Sequence, residues 1–323
     1  MATYLVTGVA GFIAARTTEM LLDAGHTVVG VDNLNDYYDV RLKQHRLAQL
    51  TTRPNFTFAR IDIEQLDLLD PLFARTKFDA VINLAARAGV RYSLENPFVY
   101  LATNAQGTLN LLELMRRHGV KKHLMASSSS LYAGQAMPFR EDLPVNTPIS
   151  PYAASKKAAE VMAYSYHHLY QIDSTILRFF TVYGPASRPD MAQARFVKWI
   201  DEGTPIQLFG DGTQSRDFTY VDDIARGTIA ALNTSGYEII NLGGGRNPVK
   251  ITTLIEKLEV LLGKRAVFAR QPFHTGDIKE TWADISKAGR LLGWAPQTNL
   301  DAGLKLCVDW YRANQSWVKD LKY

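Results

Sequence analysis

The sequence predicts an α/β fold, in which a Rossmann-type, doubly wound parallel sheet precedes a smaller mixed α/β substrate domain. Short apolar runs alternate with amphipathic stretches over the first 180 residues, as expected for parallel strands joined by helices. A glycine-rich turn follows the first apolar run, and beyond residue 185 helices mix with short strands and proline-containing loops. The predicted domains are therefore 1–180 and 181–323, with segments near 219–245 returning to the first domain.

Composition limits the possible classes of function. The 323 residues are 46% hydrophobic and 21% charged, which is typical of a globular protein. No apolar run approaches the ~18 residues of a membrane span, and no charged leader precedes the first strand, so we expect a cytoplasmic protein without a membrane partner. The chain has a net charge of +4, but its sequence contains no run of five like charges, which argues against a nucleic-acid partner. The single cysteine, Cys307, excludes an internal disulfide, and we expect no metal site.

The predicted elements come in a regular order along the chain. The periodicity predicts strands at 4–7, 27–31, 56–61, 78–84, 123–126 and 174–180, and a segment at 237–241 that could rejoin the same sheet. It predicts helices at 12–22, 39–50, 68–75, 97–117, 152–170, 192–202, 221–232, 252–262 and 302–314. Ligands of such a sheet bind at the carboxyl ends of its strands.

The first strand, turn and helix carry a dinucleotide-binding fingerprint. Gly8 and Gly11 let the backbone approach a pyrophosphate, which then rests on the amides at the helix N-terminus. Ala14 stands where a third glycine is usual, and its methyl group is small enough to leave binding intact. Asp32, which ends the second strand, can accept hydrogen bonds from the adenosine ribose hydroxyls. A 2′-phosphate would meet that carboxylate, so NAD is favoured over NADP.

Tyr152 and Lys156 form a candidate catalytic pair. Residues four apart lie on one face of a helix. An ammonium beside a phenol lowers the pKa of the phenol, which is roughly 10 in a free tyrosine, and so makes a general base that works near neutral pH. Such spacing also occurs in ordinary surface pairs, so the position of the pair after a nucleotide-binding fold is what favours catalysis.

These motifs occur in register with Asp62-Ile63, Asn83-Leu84-Ala85-Ala86, the serine run 127–130 and Arg178-Phe179-Phe180. The chain thereby resembles, over essentially its whole length, the extended short-chain dehydrogenase/reductase family and its nucleotide-sugar epimerases. Segments 33–39, 89–94 and 180–191 are similar to those of UDP-glucuronate 4-epimerases. The resemblance implies an NAD-dependent isomerase that interconverts UDP-glucuronate and UDP-galacturonate through a transient 4-keto sugar, and it implies a homodimer formed by the two long helices at the sheet edge.

The resemblance also implies roles for individual residues. Catalytic roles fall to Ser128, Tyr152 and Lys156. Contacts with NAD are implied for Gly8, Gly11, Phe12, Ile13, Asp32, Asn33, Asp62, Ile63, Leu84, Ala85, Ala86, Asn104, Tyr152, Lys156 and Phe179. Contacts with the UDP-sugar are implied for Arg91, Ser128, Ser129, Ser130, Thr181, Arg188, Arg195, Gln207, Phe209, Arg216 and Asp277.

Neighbouring residues weigh against related reactions. Ser129 and Ser130 stand where 4,6-dehydratases carry an Asp-Glu pair, so dehydration is disfavoured. Decarboxylases of UDP-glucuronate have an acidic residue inside the Tyr-x-x-x-Lys segment, whereas 153–155 holds only Ala and Ser. Thr181 follows the strand where UDP-glucose 4-epimerases usually have asparagine. The alternatives that remain are a UDP-glucose 4-epimerase, a decarboxylase and a non-catalytic protein that senses a dinucleotide.

Overall fold

The computed structural model describes residues 1–246, 248–272 and 278–321. The strands are β1 (Thr3–Thr7), β2 (Thr27–Val31), β3 (Phe56–Ala59), β4 (Ala80–Asn83), β5 (Lys122–Ser128), β6 (Asp173–Phe179), β7 (Thr181–Tyr183), β8 (Ile206–Phe209), β9 (Ser215–Arg216), β10 (Phe218–Tyr220), β11 (Tyr237–Leu242), β12 (Val249–Lys250) and β13 (Phe268–Gln271). The helices are α1 (Phe12–Asp23), α2 (Val40–Thr51), α3 (Leu66–Arg75), α4 (Val90–Glu95), α5 (Phe98–Tyr100), α6 (Gly107–His118), α7 (Pro151–Tyr170), α8 (Ala192–Glu202), α9 (Val221–Ala230), α10 (Ile251–Leu262), α11 (Ser286–Leu292) and α12 (Leu300–Val318).

A seven-stranded parallel sheet forms the centre of the fold, in the order β11-β6-β5-β4-β1-β2-β3. β1 and β4 are almost entirely buried, because helices cover both faces of the sheet. The chain runs outward from β1 through β2 to β3 and then crosses to β4 on the other side of β1. This reversal opens a crevice at the carboxyl ends of β1 and β4, where ligands of such folds bind. The predicted Rossmann-type fold is confirmed.

Gly8 is required where β1 turns towards α1. Its φ is +68°, and a Cβ at this position would lie 2.7 Å from Cα of Ala85, in the loop after β4. A side chain would therefore push the two loops apart. Gly11 is equally constrained, since a Cβ there would lie 2.8 Å from the carbonyl oxygen of Gly8. The turn that the sequence predicted is thus packed tightly against the loop after β4.

The long helix predicted at 97–117 is not regular. Between α5 and α6 the segment Leu101–Gln106 is a π-helix, a feature that often marks functional sites. Asn104, within this segment, is buried and accepts from the backbone N–H of Arg87 at 3.0 Å, while its amide donates to Arg87 O at 3.0 Å and Ser155 Oγ at 2.9 Å. The irregular turn therefore fastens the loop after β4 to α7.

The later part of the chain attaches to the sheet through β11, which pairs in parallel with β6 from Tyr237↔Ser174 to Leu242↔Phe179. Three two-stranded sheets, β10-β7, β12-β9 and β13-β8, complete the strand pairing among the described residues. Helices α8, α10 and α12 pack together beside them. Within the same described ranges, none of the helices is both long and apolar enough to cross a membrane.

Candidate active site

A cavity of about 370 Å³ lies at the carboxyl ends of the central strands. Turns and loops after β1, β2, β3, β4, β5 and β6 form its wall, together with the first turns of α7. Most of the residues predicted for the cofactor and the sugar line this one cavity: Gly8, Gly11, Phe12, Ile13, Asp32, Asn33, Asp62, Ile63, Leu84, Ala85, Ala86, Ser128, Ser129, Ser130, Tyr152, Lys156, Phe179, Thr181 and Arg188.

One end of the cavity fits a dinucleotide. α1 begins at Phe12 without a side-chain cap at Gly11, so the first amides of this 12-residue helix remain available to a phosphate. Asp32 is buried, and its carboxylate accepts from the N–H groups of Ala10 at 3.1 Å and Leu34 at 2.8 Å. These bonds orient the carboxylate while leaving it lone pairs for ribose hydroxyls. The close approach of Gly8 to the loop after β4 completes a cradle that only glycine permits.

Tyr152 and Lys156 lie in the first two turns of α7. Ser150 caps this helix by accepting from Ala153 N at 3.2 Å, and Pro151 occupies its first position. Lys156 is 4% exposed and donates to the carbonyl oxygen of Ala126 at 3.0 Å. The pair therefore stands on a well-defined helix start beside the end of β5.

The electrostatics of the pair differ in part from the sequence-based expectation. Burial raises the pKa of Tyr152, while a hydrogen bond with Ser128 and the charge of Arg188 oppose that shift. Burial also lowers the pKa of Lys156 to about 8, against the opposing charge of Glu160. In this arrangement the ammonium is held by a backbone carbonyl, so Ser128 and Arg188 are the groups that favour the Tyr152 phenolate.

The serine run turns sharply into the cavity. β5 ends at Ser128, and Ser129–Tyr132 form a 3₁₀ turn. The Ser128 hydroxyl accepts from Ser130 N at 3.1 Å and donates to Ser130 Oγ at 3.1 Å. Ser128, Ser129 and Ser130 thus line the cavity together with Tyr152, and Thr181, the first residue of β7, lines it as well.

Arg188 reaches the same end of the cavity from the loop after β7. Its Nε and Nη2 donate to the Asp190 carboxylate at 2.9 and 2.5 Å, and its guanidinium carbon lies 5.9 Å from the centroid of the Tyr37 ring. The partner of Arg188 is thus a carboxylate, which holds the guanidinium through Nε and Nη2.

A buried ion pair joins α7 to the central sheet. Glu160, one turn beyond Lys156, and Arg178 on β6 are each 1% exposed, and they form two hydrogen bonds of 2.9 and 2.7 Å. Glu160 also accepts from Ser127 Oγ at 2.7 Å, and Arg178 donates to the Tyr132 hydroxyl at 2.8 Å. This network ties α7 to β5 and β6 directly behind the candidate catalytic residues.

The other residues for which the resemblance implies contacts with the UDP-sugar do not line the described cavity. The guanidinium of Arg91 stacks on the Phe209 ring at 4.0 Å, so the structure brings these two together across the two halves of the molecule. Arg216 donates to the carbonyls of Ser215 and Lys279. The Arg195 guanidinium lies over the Trp199 ring, and the Gln207 side chain accepts a hydrogen bond from Gln271. Asp277 lies outside the described residues.

Asn104 does not line the cavity either, since its side chain is bound to Arg87 and Ser155. Conversely, sequence reasoning missed Tyr37, Lys43 and Arg87, which do line it. Arg87 directly follows the predicted Leu84-Ala85-Ala86 turn, so its position was a usable signal. Lys43 lies on an amphipathic helix, where lysine is ordinarily solvent-exposed, and offered none.

The chain belongs to the NAD dependent epimerase/dehydratase family, which it matches over residues 4–243. A UDP-glucuronate 4-epimerase of Thermodesulfobacterium geofontis is 59% identical over 322 residues, covering 100% of both chains. The UDP-glucuronic acid 4-epimerase of Bacillus cereus, solved with UDP-glucuronic acid and NAD, has a TM-score of 0.91 at 40% identity, covering 97% of this chain and 99% of that one. The Thermotoga maritima UDP-glucose 4-epimerase, solved with UDP-glucose, has a TM-score of 0.89 at 32% identity over the same shares.

Proposed function

We propose that this protein is a UDP-glucuronate 4-epimerase, which interconverts UDP-glucuronate and UDP-galacturonate with bound NAD. The observation that carries the proposal is the set of hydroxyls from Ser128, Ser129, Ser130 and Thr181 beside Tyr152 in one cavity. The carboxylates that line the cavity, Asp32 and Asp62, follow β2 and β3, on the far side of β1 from the strand that ends in these serines. The 59% identical relative supports the same substrate.

The proposed chemistry divides between cofactor and protein. NAD, when bound, supplies reversible two-electron oxidation and reduction at C4 of the sugar. Tyr152 removes the proton from the O4 hydroxyl and later returns it, with Ser128 hydrogen-bonded to that oxygen. Lys156, protonated below about pH 8 and held by the Ala126 carbonyl, provides a donor for the cofactor.

The hydroxyl set also explains why the carboxylate is retained. A 4-keto uronic acid is a β-keto acid, and it loses carbon dioxide readily when its carboxylate stands perpendicular to the ketone. Ser129, Ser130 and Thr181 offer hydrogen bonds that hold the carboxylate near the plane of the ketone, and Arg188 adds a charge-assisted contact. Neither position 129 nor 130 carries an acid that could protonate C5.

The remaining assignments extend this proposal. The cofactor contacts implied by the resemblance, including Asn104, stay as assigned. Arg91, Arg195, Gln207, Phe209, Arg216 and Asp277 are assigned to the UDP moiety. The chain is divided into an NAD-binding domain, 1–180, and a UDP-sugar-binding domain, 181–323. We assign the protein to the cytoplasm.

A homodimer is proposed on the basis of the exposed apolar side chains of two adjacent helical segments. Phe98 and Leu101 are 81% and 59% exposed, and Val161 and Leu169 on α7 are 49% and 63% exposed. α7 packs against the π segment that contains Leu101, so the four side chains belong to neighbouring elements. Analytical ultracentrifugation should give a mass of two chains for wild type. The Phe98→Asp/Val161→Asp variant should have the mass of a single chain.

One comparison of products tests the function. Purified protein is incubated separately with UDP-glucuronate, UDP-glucose and UDP-xylose, and products are followed by proton NMR. UDP-galacturonate should form fastest, without carbon dioxide loss. Faster epimerisation of UDP-glucose would identify a UDP-glucose 4-epimerase, and UDP-xylose formed from UDP-glucuronate would identify a decarboxylase. No turnover of any substrate despite bound NAD would favour a sensing protein.

A further inference from the structure

Asp217, which joins β9 to β10, carries a buried carboxylate that binds backbone N–H groups of two other segments. The residue is 3% exposed. Its Oδ2 accepts from Ala283 N at 2.8 Å and from Gly245 N at 3.2 Å. Burial raises the pKa of Asp217 to about 6, and among the described residues only the N–H groups of Ala283, Gly245 and Gly244 oppose that shift. Backbone N–H groups therefore replace the water that the ionised carboxylate loses on burial.

The segment after β11 approaches Asp217 more closely than a side chain would permit. Gly244 lies two residues beyond β11, and a Cβ at this position would overlap Asp217 Oδ1. Glycine therefore lets the backbone at 244–245 reach the carboxylate with its N–H groups. Such a concave set of N–H groups suits an anion, and here the protein itself supplies that anion.

The main chain of Asp217 connects these segments to the cavity wall. Its N–H donates to Thr281 Oγ1 at 3.3 Å, and its carbonyl oxygen accepts from Thr181 N at 3.3 Å. Thr181 lines the cavity, and β7 pairs in parallel with β10 from Phe218↔Thr181 onward. Asp217 therefore lies where the wall of the cavity meets the later segments of the chain.

The strand that carries Arg216, the residue directly before Asp217, is flanked by the same segments. On one side β12 pairs antiparallel with β9, and Val249 lies opposite Arg216. On the other side Arg216 Nη1 donates to Lys279 O at 3.1 Å. The two N–H groups that bind the Asp217 carboxylate belong to residues 245 and 283, four positions along the chain from 249 and 279. The carboxylate thus fastens both flanks of Arg216.

We propose that Asp217 is a positioning residue for the UDP moiety, because its carboxylate fixes the segments on both sides of Arg216 and so presents that guanidinium to the diphosphate. The inference rests on the proposed function, in which Arg216 binds UDP, and adds the group that holds Arg216 in place. Asp217 itself does not touch the sugar nucleotide, since its carboxylate is buried and occupied by backbone N–H groups. Its loss should weaken the binding of UDP and leave the chemistry at C4 unchanged.

Isothermal titration calorimetry of NAD-loaded protein with UDP at pH 8, where Asp217 is ionised, tests this role. Asp217→Asn keeps the shape of the side chain but removes the charge and one acceptor oxygen. The matched control is Asp223→Asn, which alters another buried carboxylate that accepts from two backbone groups, Gln297 N at 3.1 Å and Thr298 N at 3.0 Å. Asp223 lies on α9 and does not line the cavity, so this control changes equivalent bonds without affecting the flanks of Arg216.

We expect the Kd for UDP to rise about tenfold in Asp217→Asn, since two charge-assisted hydrogen bonds become neutral ones, and to stay within about twofold of wild type in Asp223→Asn. The KM for UDP-glucuronate should rise in parallel, while kcat at saturation and the retained NAD stay near wild type. In an Arg216→Met background, Asp217→Asn should change the Kd by less than about twofold, because the guanidinium that it positions is absent.

Thr281→Val removes the acceptor for Asp217 N and serves as a second variant in case Asp217→Asn folds poorly. It should raise the Kd about threefold. An unchanged Kd in folded Asp217→Asn, or in Thr281→Val where the first variant does not fold, would overturn the inference. An equal rise in Asp223→Asn, or an undiminished effect of Asp217→Asn in the Arg216→Met background, would overturn it as well. Wild type that fails to bind UDP would overturn the proposed function, and the inference with it.

Discussion

Breaking the buried ion pair between Glu160 and Arg178 should destabilise the protein severely, and removing both charges should not. In Arg178→Met the Glu160 carboxylate stays 1% exposed but loses its two charge-assisted hydrogen bonds. A buried charge that loses its partner costs about 3–5 kcal/mol. The matching Arg178→Met/Glu160→Leu variant leaves an apolar pair of similar volume in the same place.

The stability expected of the double variant depends on the hydrogen bonds that neighbouring side chains lose. Removal of both charges leaves Ser127 Oγ and the Tyr132 hydroxyl each without one partner, at roughly 1 kcal/mol apiece. The Tyr132 hydroxyl keeps one hydrogen bond, because it still donates to Asn241 Oδ1 at 2.8 Å. We therefore expect the free energy of unfolding to be about 1–2 kcal/mol lower in the double variant than in wild type. In the single variant it should be about 3–5 kcal/mol lower.

Urea unfolding followed by circular dichroism measures these differences, and thermal scans should show Tm lowered by roughly 4–7 °C in the single variant, because the unfolding entropy grows with the length of the chain. Nucleotide should be removed or saturating in all samples, because bound NAD adds to apparent stability. If Arg178→Met and the double variant lose the same stability, an uncompensated charge is not the cause. The network would then act through packing alone.

Three further predictions concern the reaction. Tyr152→Phe should reduce kcat by about 10²–10⁴-fold while bound NAD is retained; near-normal kcat would remove Tyr152 as the base. Because burial lowers the pKa of Lys156 to about 8, its ammonium is lost as the pH rises through that value, so kcat should fall above pH 8, and a flat rate well beyond it would contradict the role. Ser129→Ala with Ser130→Ala should release carbon dioxide and form a UDP-pentose, measured by mass spectrometry; complete retention of the carboxylate would show that Thr181 and Arg188 suffice.

Several features of the site were predictable because they are local in the chain. The turn at Gly8 and Gly11, the acid Asp32 at the end of β2, and the four-residue spacing of Tyr152 and Lys156 each follow from short-range geometry. Parallel strands then place their carboxyl ends at one edge, so the sheet itself brings these residues to one cavity.

Other features depend on packing that no local pattern reveals. Lys43 lies in the cavity wall because α2 packs against α1 and β3, and a helical lysine offers no sign of burial. The contact between Arg91 and Phe209 joins residues more than a hundred positions apart. The π segment around Asn104 is fixed by bonds to Arg87 and Ser155 on two other elements, and helix propensity favours a regular helix there.

The pKa of Tyr152 is a further case, since a sequence shows its neighbours along a helix but not its degree of burial. The four-residue spacing predicts that Lys156 lowers this pKa. The fold instead raises it by burial and directs the Lys156 ammonium to Ala126 O. Ser128 and Arg188, from two other segments, supply the opposing influence.

In the proposed reaction, one cavity oxidises and reduces C4 of a uronic acid without loss of its carboxylate. UDP-glucuronate carrying deuterium at C4 tests this most directly, with products examined by NMR and mass spectrometry in ordinary water. We expect UDP-galacturonate that keeps both the deuterium at C4 and the carboxylate. Deuterium lost to solvent, or a UDP-pentose as the main product, would contradict it.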